Sequence, residues 1–76
     1  MVQDINENRM KIKINSNWLE FENGRQLQNL LEQLMLKEKN GIAVAVNATV
    51  IPKRQWQHYA LQENDEVIII EATQGG

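Results

Sequence analysis

The sequence predicts an α+β fold of two layers, a mixed β-sheet with one main helix packed across one face. Three observations carry this expectation. Two alternating runs, residues 10–14 and 18–22, flank the turn-forming triplet Asn15-Ser16-Asn17. One amphipathic stripe follows, in which Leu27, Leu30, Leu31, Leu34 and Met35 recur at helical spacing. The chain closes on residues 67–72, its most β-branched stretch.

Taken in order, residues 1–9 form a lead that holds only two strong apolars after the initiator, Val2 and Ile5. They are expected to stay outside the core, which leaves residues 10–72 as the folded domain and 73–76 as a flexible tail. In the first strand Met10, Ile12 and Ile14 alternate with Lys11 and Lys13; in the second, Leu19 and Phe21 alternate with Trp18, Glu20 and Glu22. With Ser16 and Asn17 as a two-residue loop, Ile14 faces Leu19 and Ile12 faces Phe21, while Lys13 faces Glu20 and Lys11 faces Glu22. Opposite charges across a hairpin add about 0.2–1 kcal/mol each.

Asn23-Gly24 stops the second strand, and the helical stripe is expected to run until Asn40-Gly41 supplies a left-handed stop. Lys37 and Lys39 would then sit in the last turns, where positive charge suits the helix dipole. Gln26 is a weak N-cap compared with Ser, Thr or Asp. In the third strand, residues 42–46, the large Ile42, Val44 and Val46 face the helix while Ala43 and Ala45 face away. Asn47-Ala48-Thr49 turns the chain into a brief edge strand at Val50-Ile51. Pro52 then opens a short helical turn through Trp56. Glu63-Asn64-Asp65-Glu66 makes a polar turn into the last strand. That strand arrives after a long excursion, so it can lie beside the first strand, parallel to it, at the sheet centre.

Length and composition narrow the function. The chain has 76 residues, eight basic and ten acidic, one histidine and no cysteine. A domain of this size buries only roughly 60% of the surface its unfolded chain exposes, which leaves no room for a deep substrate pocket. Without cysteine there is no disulfide, no zinc-thiolate site and no thiol nucleophile. A net charge of −2 argues against nucleic acid as a partner. The apolar runs are too short to span a membrane, and the polar start is not a signal peptide, so a cytoplasmic location and no membrane partner are expected.

Catalytic constellations are nearly absent. His58 has no local serine or cysteine partner, and the one serine, Ser16, belongs to a turn. Glu63, Asp65 and Glu66 do not match a calcium loop; they are expected to be a solvated turn, and no metal site is assigned. Trp56 and Tyr59, three residues apart, resemble a base-stacking platform, but packing of Trp56 against the sheet is the stronger expectation. Lys53-Arg54 either docks an acidic surface or is a solvated pair.

Two features remain. The sequence closes on Gly75-Gly76, which chance gives in roughly 0.5% of chains at about 7% glycine; a cloning scar is the plain alternative. Without Cβ atoms such an end is slim enough to thread a tunnel, with Gln74 and Gly75 as the threading residues and the Gly76 carboxylate as the reacting group. A partner that couples this carboxylate to AMP makes it an electrophile for sulfur, and the carrier itself needs no catalytic side chain. The second feature is the sheet face away from the helix. With Ile68 and Ile70 turned toward the helix, Val67, Ile69, Ala43 and Ala45 form an apolar outer patch, a docking surface unless residues 1–9 or 50–61 fold over it.

These residues resemble a known family, the sulfur carrier proteins of thiamine biosynthesis (the ThiS family), which have the ubiquitin-like β-grasp fold. The resemblance spans residues 10–76. It is carried by Leu30-Leu31-Glu32-Gln33-Leu34, by the run from Val46-Asn47 through Val50-Ile51-Pro52-Lys53-Arg54 to Trp56, by Asn64-Asp65-Glu66-Val67-Ile68-Ile69-Ile70, and by Gly75-Gly76. Asn-x-x-Val-Ile-Pro-basic-x-x-Trp is its most specific part. Asn64 replaces the family's usual glycine, Gln26 its usual hydroxyl cap, and the lead is extra.

The resemblance implies a protein co-substrate in place of an enzyme. An adenylating enzyme related to ubiquitin activators would adenylate Gly76 with its own ATP and magnesium, so this chain binds no cofactor. Sulfur drawn from cysteine by a desulfurase would convert the carboxylate to a thiocarboxylate, and thiazole synthase would receive it. The free carrier is expected to be a monomer. The nearest rival is the small subunit of molybdopterin synthase, whose pre-glycine segment is typically proline-rich and aromatic, unlike Glu71-Ala72-Thr73-Gln74. A non-reacting ubiquitin-like interaction module is the rival from another class.

Overall fold

The computed structural model describes residues 9–22 and 24–72. Of the expected lead only Arg9 falls within them, and the expected tail, residues 73–76, lies outside. The elements are β1 (Met10–Ile14), β2 (Asn17–Phe21), α1 (Leu27–Gln33), β3 (Ile42–Val46), β4 (Thr49–Val50), a 3₁₀ turn (Lys53–His58) and β5 (Glu66–Glu71). They build one mixed sheet of order β2-β1-β5-β3-β4. β5 lies between β1, to which it is parallel, and β3, to which it is antiparallel. The expected central pairing of first and last strands is therefore present.

The first hairpin corrects the expected pairing. Its two loop residues are Asn15 and Ser16, both at positive φ (47° and 77°), so Ile14 lies opposite Asn17, Ile12 opposite Leu19 and Met10 opposite Phe21. Left-handed backbone at both loop positions matches the twist of the strands, and asparagine adopts it readily. Moving the loop back by one residue shifts every cross-strand partner by two and leaves each side chain on its expected face. Lys13 now faces Trp18, and Lys11 faces Glu20. The second hairpin repeats the device: Asn47 and Ala48 have φ of 50° and 73°, and Val46 lies opposite Thr49.

Asn15 also extends the sheet. Its backbone N–H donates to the Val67 carbonyl (3.0 Å), its side-chain Oδ1 accepts from the Ile69 N–H (2.8 Å), and its Nδ2 donates to the Ile69 carbonyl (3.2 Å). The side-chain amide occupies the place that a further residue of β1 would take beside β5. Asn47 clamps the start of β5 in a similar way. Its Oδ1 accepts from the Glu66 N–H (2.9 Å) and its Nδ2 donates to Asp65 (2.9 Å), whose other oxygen accepts from the Gln62 N–H (2.8 Å).

The helix is shorter than its apolar stripe suggests. It ends at Gln33, and Met35 takes φ 64° with its side chain 87% exposed. The Leu36 N–H donates to Leu31 O (2.7 Å) and the Met35 N–H to Glu32 O (3.0 Å), the bond pair of a Schellman stop. Leu36 packs on the core while Met35 points away. Lys37 and Lys39 consequently lie beyond the helix. The stop turns the chain so that Leu36, half-buried, packs against the core.

At the other end the weak cap is replaced by backbone pairing. The Leu27 N–H donates to Tyr59 O (2.8 Å), the Leu61 N–H donates to Arg25 O (2.7 Å), and Asn29 Oδ1 accepts from the Gln26 N–H (3.2 Å). Gly24 makes room for this: at φ 95°, a Cβ there would sit 2.6 Å from Asn29 Oδ1.

One core joins the layers. Met10, Ile12 and Phe21 from the first hairpin meet Leu27, Leu30 and Leu31 of α1, Val44 and Val46 of β3, Val67 of β5, and Ile51, Trp56 and Leu61 of the long connection. Trp56 is buried and its Nε1–H donates to the Ile51 carbonyl (2.9 Å), which satisfies its one polar atom. The segment 51–61 thus packs beside α1 and leaves the outer face of the sheet uncovered by it.

Two measurements test these devices. Met35→Gly and Ala48→Gly each relieve a left-handed non-glycine residue and are expected to raise stability by about 0.5–1 kcal/mol, seen as a higher urea midpoint at constant slope. Asn15→Ala removes two hydrogen bonds beside β5 and is expected to cost about 1–3 kcal/mol by the same measurement.

Candidate functional site: the outer sheet face and the root of the C-terminal segment

Side chains alternate along a strand, and cross-strand partners share a face. These two rules build the outer face. Ala43 lies opposite Ile70, and Ala45 lies opposite both Ile68 on β5 and Val50 on β4. All five belong to the side away from α1, and Ile68, Ile70 and Val50 are exposed. On the other half of the sheet, Lys13 lies opposite Trp18 and next to Glu66, with Lys11 two residues back. The face therefore has an apolar half and a half built from lysines around an indole.

This arrangement corrects the expected docking patch. Val67 is fully buried, opposite Val46, and Ile69 is half-buried against the core, opposite Val44. Both point toward the helix layer, and Ile68 and Ile70 point away. The physical reason lies in the strand's composition. Val67 to Ile70 is apolar at every position, so its own pattern sets no phase. Pairing sets it: Val67 is beside Ile14 and Val46, and both of those face inward. Ala43 and Ala45 do lie on the outer face as expected, Ala43 exposed and Ala45 half-buried.

β5 leads to the C-terminal segment. The Ala72 N–H donates to Gly41 O (2.7 Å), and Gly41 takes φ 78° as the chain enters β3. Lys39 pairs with Glu71 across the same end of the sheet (3.2 Å). Beside it an open groove of about 430 Å³ is lined by Ile14, Leu34, Leu36 and Ile69. The chain is thus anchored up to Ala72 on the strand between β1 and β3. Gln74, Gly75 and Gly76 lie outside the described residues.

The remaining candidates find structural roles. Asp65 accepts the bonds of the Gln62–Asn47 clamp, and Glu63 accepts from the Lys11 N–H (3.3 Å). Among the described residues no three His, Cys, Asp or Glu groups are placed to hold a metal ion. His58 is exposed, with Gln57 as its side-chain neighbour. Trp56 is buried and cannot stack a base beside Tyr59. Lys53 and Arg54 are exposed. The Lys37 pKa is raised by its hydrogen bond to Glu32 (3.0 Å) and by that carboxylate's charge, away from the outer face. No helix among the described residues is long and apolar enough to cross a membrane.

A model of the ThiS family matches residues 4–76 of this chain. The chain belongs to the ThiS family. The "Sulfur carrier protein ThiS" of Escherichia coli (strain K12) is 30% identical over 67 residues, which cover 88% of this chain and all of that protein. The crystal structure of a thiamine biosynthesis protein (ThiS) from Geobacter metallireducens superposes with a TM-score of 0.73 at 17% identity, covering 88% of this chain and all of that one. The fold is accordingly the ubiquitin-like β-grasp, a five-stranded mixed sheet with one helix. Within the ThiS pattern, Asn47 and Asp65 are the clamp at the start of β5, Pro52 precedes the 3₁₀ turn, and Trp56 fills the core. The most specific part of the resemblance is thus a record of packing, distinct from the terminal glycines.

The corrected facing has a direct test. Val67→Ala is expected to cost about 2 kcal/mol, from two buried methylene equivalents and a cavity. Ile70→Ser should stay within about 0.5 kcal/mol of the parent. Equal costs in urea denaturation would contradict the assignment of faces.

Proposed function

We propose that this chain is a sulfur carrier of thiamine biosynthesis that works through the Gly76 carboxylate. The observation that supports this most is membership of the ThiS family over residues 4–76, a match that includes Gly75-Gly76. The fold is consistent with it. A domain without an enclosed pocket or a catalytic constellation among its described residues is suited to presenting a group that a partner transforms.

The chemistry runs in three steps. The Gly76 carboxylate attacks the α-phosphorus of ATP on an adenylating partner related to ubiquitin activators, and pyrophosphate leaves. The mixed anhydride is attacked at its carbonyl by a persulfide, whose outer sulfur derives from cysteine through a desulfurase; AMP leaves and an acyl persulfide forms. A second thiol then attacks the inner sulfur, leaving the outer sulfur on Gly76 as a thiocarboxylate and forming a disulfide. Thiazole synthase takes that sulfur. ATP and magnesium belong to the partner; this chain binds neither.

Each part of the chain has a task in this scheme. β5 holds the root of the segment, and Ala72 is its last described anchor. Four residues beyond it span at most about 14 Å, which sets the depth at which a partner can act on Gly76. Gly75 and Gln74 thread the partner's tunnel, with Gly75 supplying slimness and rotational freedom. Ile68, Ile70, Ala43 and Ala45 dock, their apolar area giving an attachment that outlasts a single collision.

Intact-mass analysis tests the proposal. The full chain is incubated with ATP, cysteine, a cysteine desulfurase and the adenylating enzyme. The expected result is a mass gain equal to exchanging one oxygen for sulfur, localised to Gly76 and absent when Gly75 and Gly76 are deleted. No gain, with an enzyme active on another carrier, would overturn it.

A further inference from the structure

On the outer face, Lys11 Nζ lies 5.4 Å and Lys13 Nζ 5.7 Å from the centre of the Trp18 ring. Trp18 is 54% exposed, although burying an indole is among the largest apolar gains a small domain can make. Among the described residues no ion pair explains where the lysines sit. Glu20, opposite Lys11, pairs with Arg9 (3.4 Å), and Glu66, beside Lys13, forms no ion pair with it among the described residues. Two ammonium groups therefore lie against one exposed ring. A carboxylate reaching this corner would be attracted by both, and the indole would supply apolar contact next to it.

We propose that Lys11, Lys13 and Trp18 form a second docking zone that receives an acidic segment of the adenylating partner. The proposal rests on the carrier reading above. The zone lies on the same face as Ile68, Ile70, Ala43 and Ala45, so one partner surface can cover both halves. An apolar patch gives contact area but little orientation. A charge pair at the opposite corner fixes the rotation of the carrier on its partner, and so the direction in which β5 delivers the C-terminal segment. Protein carboxylates fit better than nucleic acid. The chain as a whole carries −2, so the two lysines are a local feature and not part of a basic field. Trp18 presents one ring, where a single-strand platform uses several.

The test measures Kd for the full chain and the adenylating enzyme of the same cell, by biolayer interferometry at low and high salt. The variants are Lys11→Gln/Lys13→Gln, Lys11→Glu/Lys13→Glu, Trp18→Ala and Ile68→Ala, each checked for folding by circular dichroism and urea midpoint. The parent affinity should fall about tenfold as salt screens the contact. Charge reversal should raise Kd about tenfold or more at low salt and remove most of the salt dependence. Charge removal should move in the same direction by less, so the proposal remains testable if the reversal fails to fold. Trp18→Ala should weaken binding at both salt levels, and Ile68→Ala should weaken it with the parent's salt dependence. Parent-like Kd and salt response in the folded lysine variants would overturn this zone and leave the carrier reading intact, provided the parent still takes up sulfur. Failure of the parent to bind would overturn the zone and count against the carrier reading as well. Binding of single-stranded RNA that depends on the lysines, with enzyme binding unchanged, would overturn it in favour of a nucleic-acid surface.

Discussion

The placement of β5 between β1 and β3 is the constraint on which the rest of the molecule depends. A strand with neighbours on both sides has its backbone groups directed to two partners, and its phase decides which side chains close the core. Here the β3 side has five paired positions and the β1 side two. The short parallel side is reinforced where the regular ladder runs out. Asn15 supplies a side-chain amide in place of a further strand residue, and Asn47 and Asp65 hold the entry to β5 from the opposite hairpin. Three polar side chains on turns thus fix a strand whose four central residues, Val67 to Ile70, are all apolar. A strand of that composition has little register information of its own, since a slip by one residue would exchange one apolar set for another.

The same reasoning explains what could be read from the amino-acid order and what could not. β1 alternates strictly between apolar and charged residues and β2 keeps Leu19 and Phe21 in phase with it, so their faces were legible, and an error of one residue in the loop moved the pairing without moving a face. β5 has no such alternation over Val67 to Ile70, so the assignment of Ile68 and Ile70 to the core was arbitrary in phase. The decisive fact, that Val67 sits between Ile14 and Val46, is tertiary. In the helix, Met35 satisfied the apolar spacing and still lies outside, because it takes the left-handed position of the stop while Leu36 packs against the core. The cap at Gln26 looked deficient because the Tyr59 carbonyl, brought there by the fold, accepts the first helical N–H. The Trp18 zone had a visible signal: a tryptophan on the charged side of an alternating hairpin. It was absorbed into a reading that gave both lysines glutamate partners.

The corrected phase gives the outer face its composition. Turning Val67 and Ile69 inward brings Ile68 and Ile70 out beside Ala43 and Ala45. The small alanines keep β3 low there, so the two isoleucines stand as the relief of the apolar half, near the end from which the chain continues past Ala72. Lys11, Lys13 and Trp18 occupy the far half, near the turn that enters β5. The strand that must stay in register for the core is therefore the strand that sets the outer face and carries the chain to Ala72. Stability and presentation share one element.

That sharing follows from size. Among its described residues a domain this small has a single core and no second layer behind the sheet, so one face of each strand is committed to folding and the other carries exposed side chains. A carrier needs little beyond this: a rigid root, a slim reactive end and a face that orients the body while the end is handled elsewhere. Rigidity at the root matters because freedom lost on binding is a cost to affinity. Ala72 bonded to Gly41, with Lys39 paired to Glu71 beside it, fixes the chain up to the end of β5. The outer face must then supply orientation as well as contact, and an apolar patch alone is poor at orientation because it tolerates rotation. A face with isoleucines at one end and an indole between two ammonium groups at the other distinguishes its two ends chemically, which is the minimum needed to present a tail in one direction.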